Sequence, residues 1–138
     1  MTADDIIQRL DLKPHPEGGW FRQTWEGDEV PRAAGTCIYF LLKAGETSHW
    51  HRVDAAEIWH FYSGAPLTLR MASTERGPYQ RHILGPDLEQ GSSQIIVPPG
   101  WWQSAESEGA YSLVGCTVSP GFRFEGFELA PPDFDIPD

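Results

Sequence analysis

Three polar residues between positions 48 and 64 have the types and spacing that acid–base or metal chemistry requires. His49 and His51 are separated by one residue, and Glu57 follows six residues after His51. Because alternate residues of a β-strand point to the same face, a regular strand directs both imidazoles into one cavity. If residues 52–56 form the turn between two antiparallel strands, Glu57 folds back to face the histidine pair.

Two imidazoles and a carboxylate that converge on one point admit three interpretations. They suit a divalent metal such as Zn²⁺, Fe²⁺, Ni²⁺ or Mn²⁺. They also suit a metal-free pocket in which a histidine moves protons. In the third interpretation the role is structural, and Glu57 is the salt-bridge partner of a polar patch. A bulge in the strand would turn His49 away from the cavity.

A second stretch, residues 95–107, offers a partner for this group. Pro98, Pro99 and Gly100 predict a tight turn between two strands. After the turn, Trp101 and Gln103 share one strand face. The Gln103 amide can hydrogen-bond a ligand or accept a metal, although it is a poorer transition-metal ligand than histidine. Trp101 is interpreted either as core packing or as part of a pocket wall.

The run EIWHFYSG, residues 57–64, predicts a strand with two distinct faces. Glu57 and Trp59 share one face, on which Trp59 is a candidate substrate contact, and His60 and Tyr62 lie on the other. A tyrosine such as Tyr62 or Tyr39 could donate a proton in catalysis if strand twist brings it inward.

Two further candidates lie nearer the N-terminus. Glu17 belongs to the Gly-rich segment HPEGG, which either closes over the pocket mouth or forms a simple turn anchored by Trp20. Arg22 follows on a predicted strand and can bind an anionic group. Its alternative role is a surface ion pair, which is common in so acidic a chain.

Charge and composition exclude several classes of partner. The 138 residues carry a net charge of -10, so nucleic acid and anionic membranes are unexpected partners. The N-terminal residues lack the basic start and apolar core of a signal peptide, and no apolar run is long enough to cross a membrane. Cys37 and Cys116 are far apart and are expected to be free thiols in a reducing cytoplasm.

The pattern of short apolar runs predicts an all-β protein. Gly and Pro interrupt these runs about every ten residues, as in a sandwich or barrel, and one domain over residues 1–138 is expected. A short N-terminal helix is expected at about residues 3–12, after the capping pattern that begins at Thr2. The acidic, proline-rich tail at 130–138 is expected to be loosely held. The run TCIYFLLK is apolar on both faces, which predicts that both are covered.

Four long strings in this chain resemble one branch of the cupin superfamily, an uncharacterised family of small cupins described as predicted sugar-epimerase-like (DUF985). The strings are HPEGGWFRQTW, SHWHRVDAAEIWHFYSGAPL, VPPGWWQSAES and LVGCTVSPGFRFEGFEL. The resemblance implies a double-stranded β-helix (jelly-roll barrel), usually a homodimer, with a small-molecule ligand in the barrel. The chain departs from the usual cupin pattern at Gln103 and Ser107, where His and Asn are expected.

The resemblance favours an isomerase or epimerase that acts on a sugar or sugar nucleotide by proton transfer. In this hypothesis His51 is the base and Glu57 orients it. Two alternatives stay open, a non-catalytic ligand-binding cupin and a metal-dependent enzyme that uses His49, His51 and Glu57, with Gln103 as a further ligand. The predicted substrate contacts are His49, Gln103, Trp59, Trp101, Glu17 and Arg22.

Overall fold

The chain forms two antiparallel β-sheets that face each other, preceded by one short helix. The computed structural model describes all of residues 1–138. Helix α1 is Ala3–Leu10, and the strands are β1 Lys13–Pro14, β2 Trp20–Glu26, β3 Thr36–Lys43, β4 Thr47–Val53, β5 Ala56–Gly64, β6 Leu67–Ala72, β7 Gln80–Leu84, β8 Gln94–Val97, β9 Trp102–Ser107, β10 Tyr111–Ser119 and β11 Phe127–Leu129. The first sheet has the strand order β1-β2-β3-β10-β5-β8, and the second has the order β11-β4-β9-β6-β7. The all-β prediction is confirmed.

Helix α1 begins at a capping box and covers part of the outer face of the first sheet. The Thr2 hydroxyl accepts the Asp5 backbone N–H, and the Asp5 carboxylate accepts the Thr2 N–H. The helix ends at Asp11, which adopts the left-handed conformation with φ of 55°, slightly before the predicted end. Ile6 then packs in a buried cluster with Leu41. No helix of the protein has the length and apolar character needed to span a membrane.

The main core fills one end of the space between the sheets. Phe40 on β3, Trp59 on β5 and Val114 on β10 point inward and are at most 1% exposed. They pack against Leu67 and Leu69 on β6 of the facing sheet. Inward residues at the other ends of β3, β5 and β10 are left to line a cavity.

The hairpin suggested for residues 49–64 does not form, whereas the turn predicted at Pro98–Gly100 does lie between two strands. Strand β4 belongs to the second sheet and β5 to the first, so residues 54–55 carry the chain across the barrel. The Pro98–Gly100 turn likewise connects β8 of the first sheet to β9 of the second. His51 and Glu57 therefore meet across the space between the sheets and not side by side within one sheet.

A one-residue bulge interrupts β4 beside the histidines. Ser48 is opposite Ala105 of β9, whereas His51 is opposite Gln103, so three steps along β4 match two along β9. The extra residue breaks the alternation of the strand. His49 and His51 consequently point to opposite faces, and the prediction that both enter one cavity is wrong.

The C-terminal tail is packed, contrary to the prediction. Ile136 is 1% exposed. The Phe134 ring lies 5.0 Å from the Trp102 ring, and the Trp50 indole donates to Asp135 at 2.9 Å. The tail therefore covers the outer face of the second sheet, because two large tryptophans there need a partner to leave water.

Candidate functional site

A small cavity opens between the two sheets at the end that the core leaves unfilled. Its volume is about 70 Å³. Its lining is partly polar and partly apolar. The lining residues are His15, Glu17, Phe21, Gln23, Thr36, Ile38, His51, Val53, Glu57, Cys116, Val118, Phe122 and Phe124. The arrangement brings two imidazoles and two carboxyl groups together in a largely water-excluded place.

His51 presents one defined ring nitrogen to this cavity. Its side chain is 2% exposed, and Nδ1 lies 2.7 Å from the His49 carbonyl oxygen. A carbonyl oxygen can only accept, so Nδ1 carries the proton and the neutral ring keeps its lone pair on Nε2. That Nε2 lies 3.6 Å from Oε2 of Glu17. Burial lowers the pKa of His51, which favours this neutral form.

The HPEGG segment forms a wall of the cavity. The Glu17 carbonyl accepts the His49 backbone N–H at 2.8 Å, which fastens the loop to β4. Gly18 has a φ of 107°, and a Cβ there would lie 2.1 Å from the Thr47 carbonyl oxygen. Only glycine allows so close an approach. As a result Glu17 and His15 reach the cavity with side chains 10% and 5% exposed.

Burial sets the protonation of the polar residues that line the cavity. Loss of hydration raises the pKa of Glu17 to about 8, against an opposing hydrogen bond from Ser48. Burial also raises the pKa of Glu57 to about 7, and attraction to His51 only partly offsets this. It lowers the pKa of His15 to about 4. At neutral pH Glu17 is therefore mainly protonated, and His15 is neutral.

Glu57 is held by a chain of two buried hydrogen bonds. Its Oε1 accepts Nε2–H of Gln103 at 2.9 Å, and Oε1 of Gln103 accepts the Trp59 indole N–H at 2.8 Å. Because an indole can only donate, the orientation of the Gln103 amide is fixed. The Gln103 oxygen is thus hydrogen-bonded to Trp59, which is a core residue and does not line the cavity.

The residues present do not fit a bound metal. The His49 ring leaves the cavity and its Nε2 lies 2.8 Å from the Pro131 carbonyl oxygen. The Gln103 oxygen already accepts the Trp59 indole N–H. No group of three or more His, Cys, Asp or Glu side chains has the geometry to hold a metal ion. The set His49, His51, Glu57 and Gln103 is therefore not brought together as ligands.

Other predicted contacts lie outside the cavity. Arg22 donates to the Leu10 carbonyl oxygen at 2.7 Å on the outer face of the first sheet. Trp101 packs against the main core. Tyr39 and Tyr62 stack edge to face on the outer surface at 5.9 Å, so neither can return a proton inside the barrel.

Several residues that line the cavity were not predicted from the sequence. Cys116 lies two residues after the core residue Val114 on β10, and strand alternation could have placed it inward. Phe122 and Phe124 close the mouth from the segment that follows β10. Their alternation in GFRFEGF was the available signal. Long-range hydrogen bonds also hold this segment, from Arg32 to the Gly121 carbonyl and from the Phe122 N–H to the Thr36 hydroxyl.

Facing antiparallel sheets with a cavity at one end define a barrel of the jelly-roll type. The family model described as Cupin superfamily (DUF985) matches residues 4–130, so the chain belongs to that family. A solved protein of Shewanella oneidensis is 41% identical, with a TM-score of 0.88 over 94% of this chain and 85% of that one. A hypothetical protein of Leishmania major is 34% identical, with a TM-score of 0.86 over 94% and 88% of the two chains.

More distant similarity concerns the fold alone. Oxalate decarboxylase of Bacillus subtilis is 16% identical, with a TM-score of 0.65 over 87% of this chain and 30% of that one. No curated protein matches the chain at a significant level. The jelly-roll prediction is confirmed by these structures.

Proposed function

We propose that this cupin is a metal-free isomerase that moves a proton on a sugar-like α-hydroxy carbonyl compound. The observation that carries the proposal is the His51 ring, whose Nδ1–H is bound to the His49 carbonyl while Nε2 faces the cavity. A neutral imidazole with a directed lone pair is suited to act as a general base. The buried, protonated carboxyl group of Glu17, 3.6 Å away, supplies the matching acid.

The proposed reaction uses both groups in sequence. Nε2 of His51 takes the proton from the carbon next to the carbonyl, and the C–H electron pair moves through the C–C bond to the carbonyl oxygen. Glu17 donates its proton to that oxygen, which gives an enediol. For isomerisation, the His51 imidazolium delivers its proton to the former carbonyl carbon. The Glu17 carboxylate takes the proton of the hydroxyl group on the carbon that was deprotonated, and this carbon becomes the new carbonyl, so that both side chains return to their starting states. Glu57 favours the imidazolium form of His51 by charge attraction.

The test is exchange of substrate C–H for deuterium in heavy water, followed by NMR in the presence of a chelator. We expect His51→Gln to slow exchange by at least about 100-fold, because a positioned base contributes roughly that much. His82→Gln makes the same change on the surface and serves as the matched control. Circular dichroism shows whether each variant is folded. Exchange that survives in His51→Gln, or that needs added metal, refutes the proposal. Binding without exchange would identify a non-catalytic ligand-binding cupin.

The outer face of the first sheet supports a further proposal, that the protein is a homodimer. Tyr62 and Ile96 are 48% and 60% exposed there, on neighbouring strands β5 and β8. Large apolar side chains grouped on one surface favour association. We expect Ile96→Lys to convert a dimer to a monomer in sedimentation velocity, with Leu88→Lys, an exposed loop position, as the control. A wild-type monomer at all concentrations contradicts this proposal.

The state of the two cysteines is relevant to the cellular location of the protein. Cys37 and Cys116 are both free. Free cysteines persist in reducing compartments, which supports a cytoplasmic location. Fractionation of cells that express the protein would test this.

A further inference from the structure

The charges around the cavity narrow the class of substrate. None of the thirteen lining residues is Lys or Arg, while two are Glu and two are His. Burial lowers the pKa of both histidines, His15 and His51, so neither supplies a positive charge at neutral pH. The cavity wall therefore offers no cation to an anionic ligand.

The arginines near the mouth are engaged elsewhere. Arg32 makes two hydrogen bonds to the Asp54 carboxylate, at 3.1 and 2.6 Å, and a third to the Gly121 carbonyl. Arg123 lies 3.8 Å from the same carboxylate. Arg22 is turned to the Leu10 carbonyl on the outer face. Phosphate groups are usually bound by unpaired arginines, lysines or helix N-termini, and the cavity has none of these.

The volume of the cavity and the chemistry of its lining independently restrict which ligands can bind. The cavity volume of about 70 Å³ is far below the roughly 300–1,000 Å³ of ordinary ligand pockets. Its apolar lining includes Ile38, Val118, Phe122 and Phe124 beside the two carboxyl groups. A ligand that fits is short and carries both polar and apolar groups.

We propose that the substrate is a small uncharged α-hydroxy aldehyde or ketone, and that sugar phosphates and sugar nucleotides are excluded. The reacting group rests on the proposed function, whereas the exclusion of anions follows from the charges alone. A phosphate dianion in this cavity loses its hydration and finds no counter-ion among the lining residues. Both effects disfavour binding strongly.

The experiment compares erythrulose with dihydroxyacetone phosphate, two short ketoses of which one is charged. For each probe, deuterium exchange reports chemistry and saturation-transfer NMR reports binding. With the wild-type protein we expect erythrulose to exchange at least about 100-fold faster, because the phosphate loses its hydration and gains no counter-ion in the cavity. Gln23, an exposed lining residue, allows a gain-of-function test. We expect Gln23→Lys to reduce this preference about tenfold.

A matched variant and the pattern of results separate the two proposals. Gln90→Lys adds the same charge in an exposed turn outside the cavity and should leave the preference unchanged. Equal or faster exchange of the phosphate overturns the uncharged-substrate proposal and leaves the proton-transfer function standing. Binding of erythrulose but not the phosphate, without exchange, supports the uncharged class and overturns the proton-transfer function. Binding of neither probe overturns the proposed substrate class.

Discussion

Replacement of Glu17 by glutamine should stabilise the protein in a pH-dependent way. The pKa of Glu17 is raised from 4.5 to about 8 because the carboxyl group is buried. As the pH rises, the Glu17 carboxyl group therefore ionises at a lower pH in the unfolded chain than in the folded protein. Its contribution to the free energy of unfolding falls between pH 4.5 and about 8 and is constant outside that window. Glutamine has the same shape and does not ionise, so this loss disappears in Glu17→Gln.

The magnitude follows from the width of the window. From 4.5 to pH 7 is about 2.5 units, and each unit is worth about 1.4 kcal/mol. Glu17→Gln should thus raise the free energy of unfolding by about 3 kcal/mol at pH 7 and by nearly nothing at pH 4.5. The glutamine oxygen can still accept from the Ser48 hydroxyl. At pH 7 the midpoint of thermal unfolding should rise by roughly 10 °C.

Urea unfolding at several pH values between 4.5 and 9 measures the difference directly. Glu75→Gln, at an exposed position, is the control and should give a flat difference near zero. The reasoning is refuted if Glu17→Gln destabilises the protein at pH 7, or if it stabilises equally at pH 4.5 and pH 8. Deuterium exchange should be lost in the same variant, because glutamine has no acidic proton to donate to the carbonyl oxygen.

Three other changes have defined outcomes. Ile136→Ala should lower the free energy of unfolding by about 2–4 kcal/mol in urea titrations, because it removes a fully buried side chain of the tail; no loss would mean that the tail is not packed. Addition of Zn²⁺, Fe²⁺, Ni²⁺ or Mn²⁺ should leave the melting temperature within about 1 °C, since no three His, Cys, Asp or Glu side chains have the geometry to hold a metal ion, whereas a rise of several degrees would reveal a site. Arg32→Ala should speed amide exchange at Phe122 and Phe124, because it removes the contact with Gly121, while equal rates would show that this contact does not hold the mouth.

Local patterns predicted much of the fold. Alternation placed Glu57 and Trp59 inward and left Tyr62 on the outside, as the structure shows. The capping box at Thr2 located the start of α1. The pairing of strands was harder to predict. A connection as short as residues 54–55 can join two strands of a hairpin or two strands that lie in different sheets. The bulge in β4 has no glycine to mark it, so the strand reads as regular and His49 was assigned to the wrong face.

The site was also only partly predictable, because it depends on contacts between parts of the chain that are distant in sequence. His51 and Glu57 lie close in sequence, and their types alone suggested chemistry. Glu17 comes from a loop about 30 residues earlier, and its approach depends on the conformation of Gly18. The use of the Gln103 oxygen by Trp59 is a tertiary contact that no spacing rule reveals. Family resemblance supplied the barrel, whereas the types and spacing of His49, His51 and Glu57 suggested a metal site that these side chains do not form.

The contact between His49 and Pro131 has a consequence for the durability of the protein. The His49 ring is joined to the tail, and its carbonyl oxygen holds the His51 ring. A protease that cut the chain after Ala130 would release Trp50 and Trp102 to water and free the bulge at His49. We expect such a clipped protein to keep its barrel while the His51 ring begins to rotate. Loss of the fixed orientation of His51 would then precede loss of the fold, and would start at the carboxyl end of the chain.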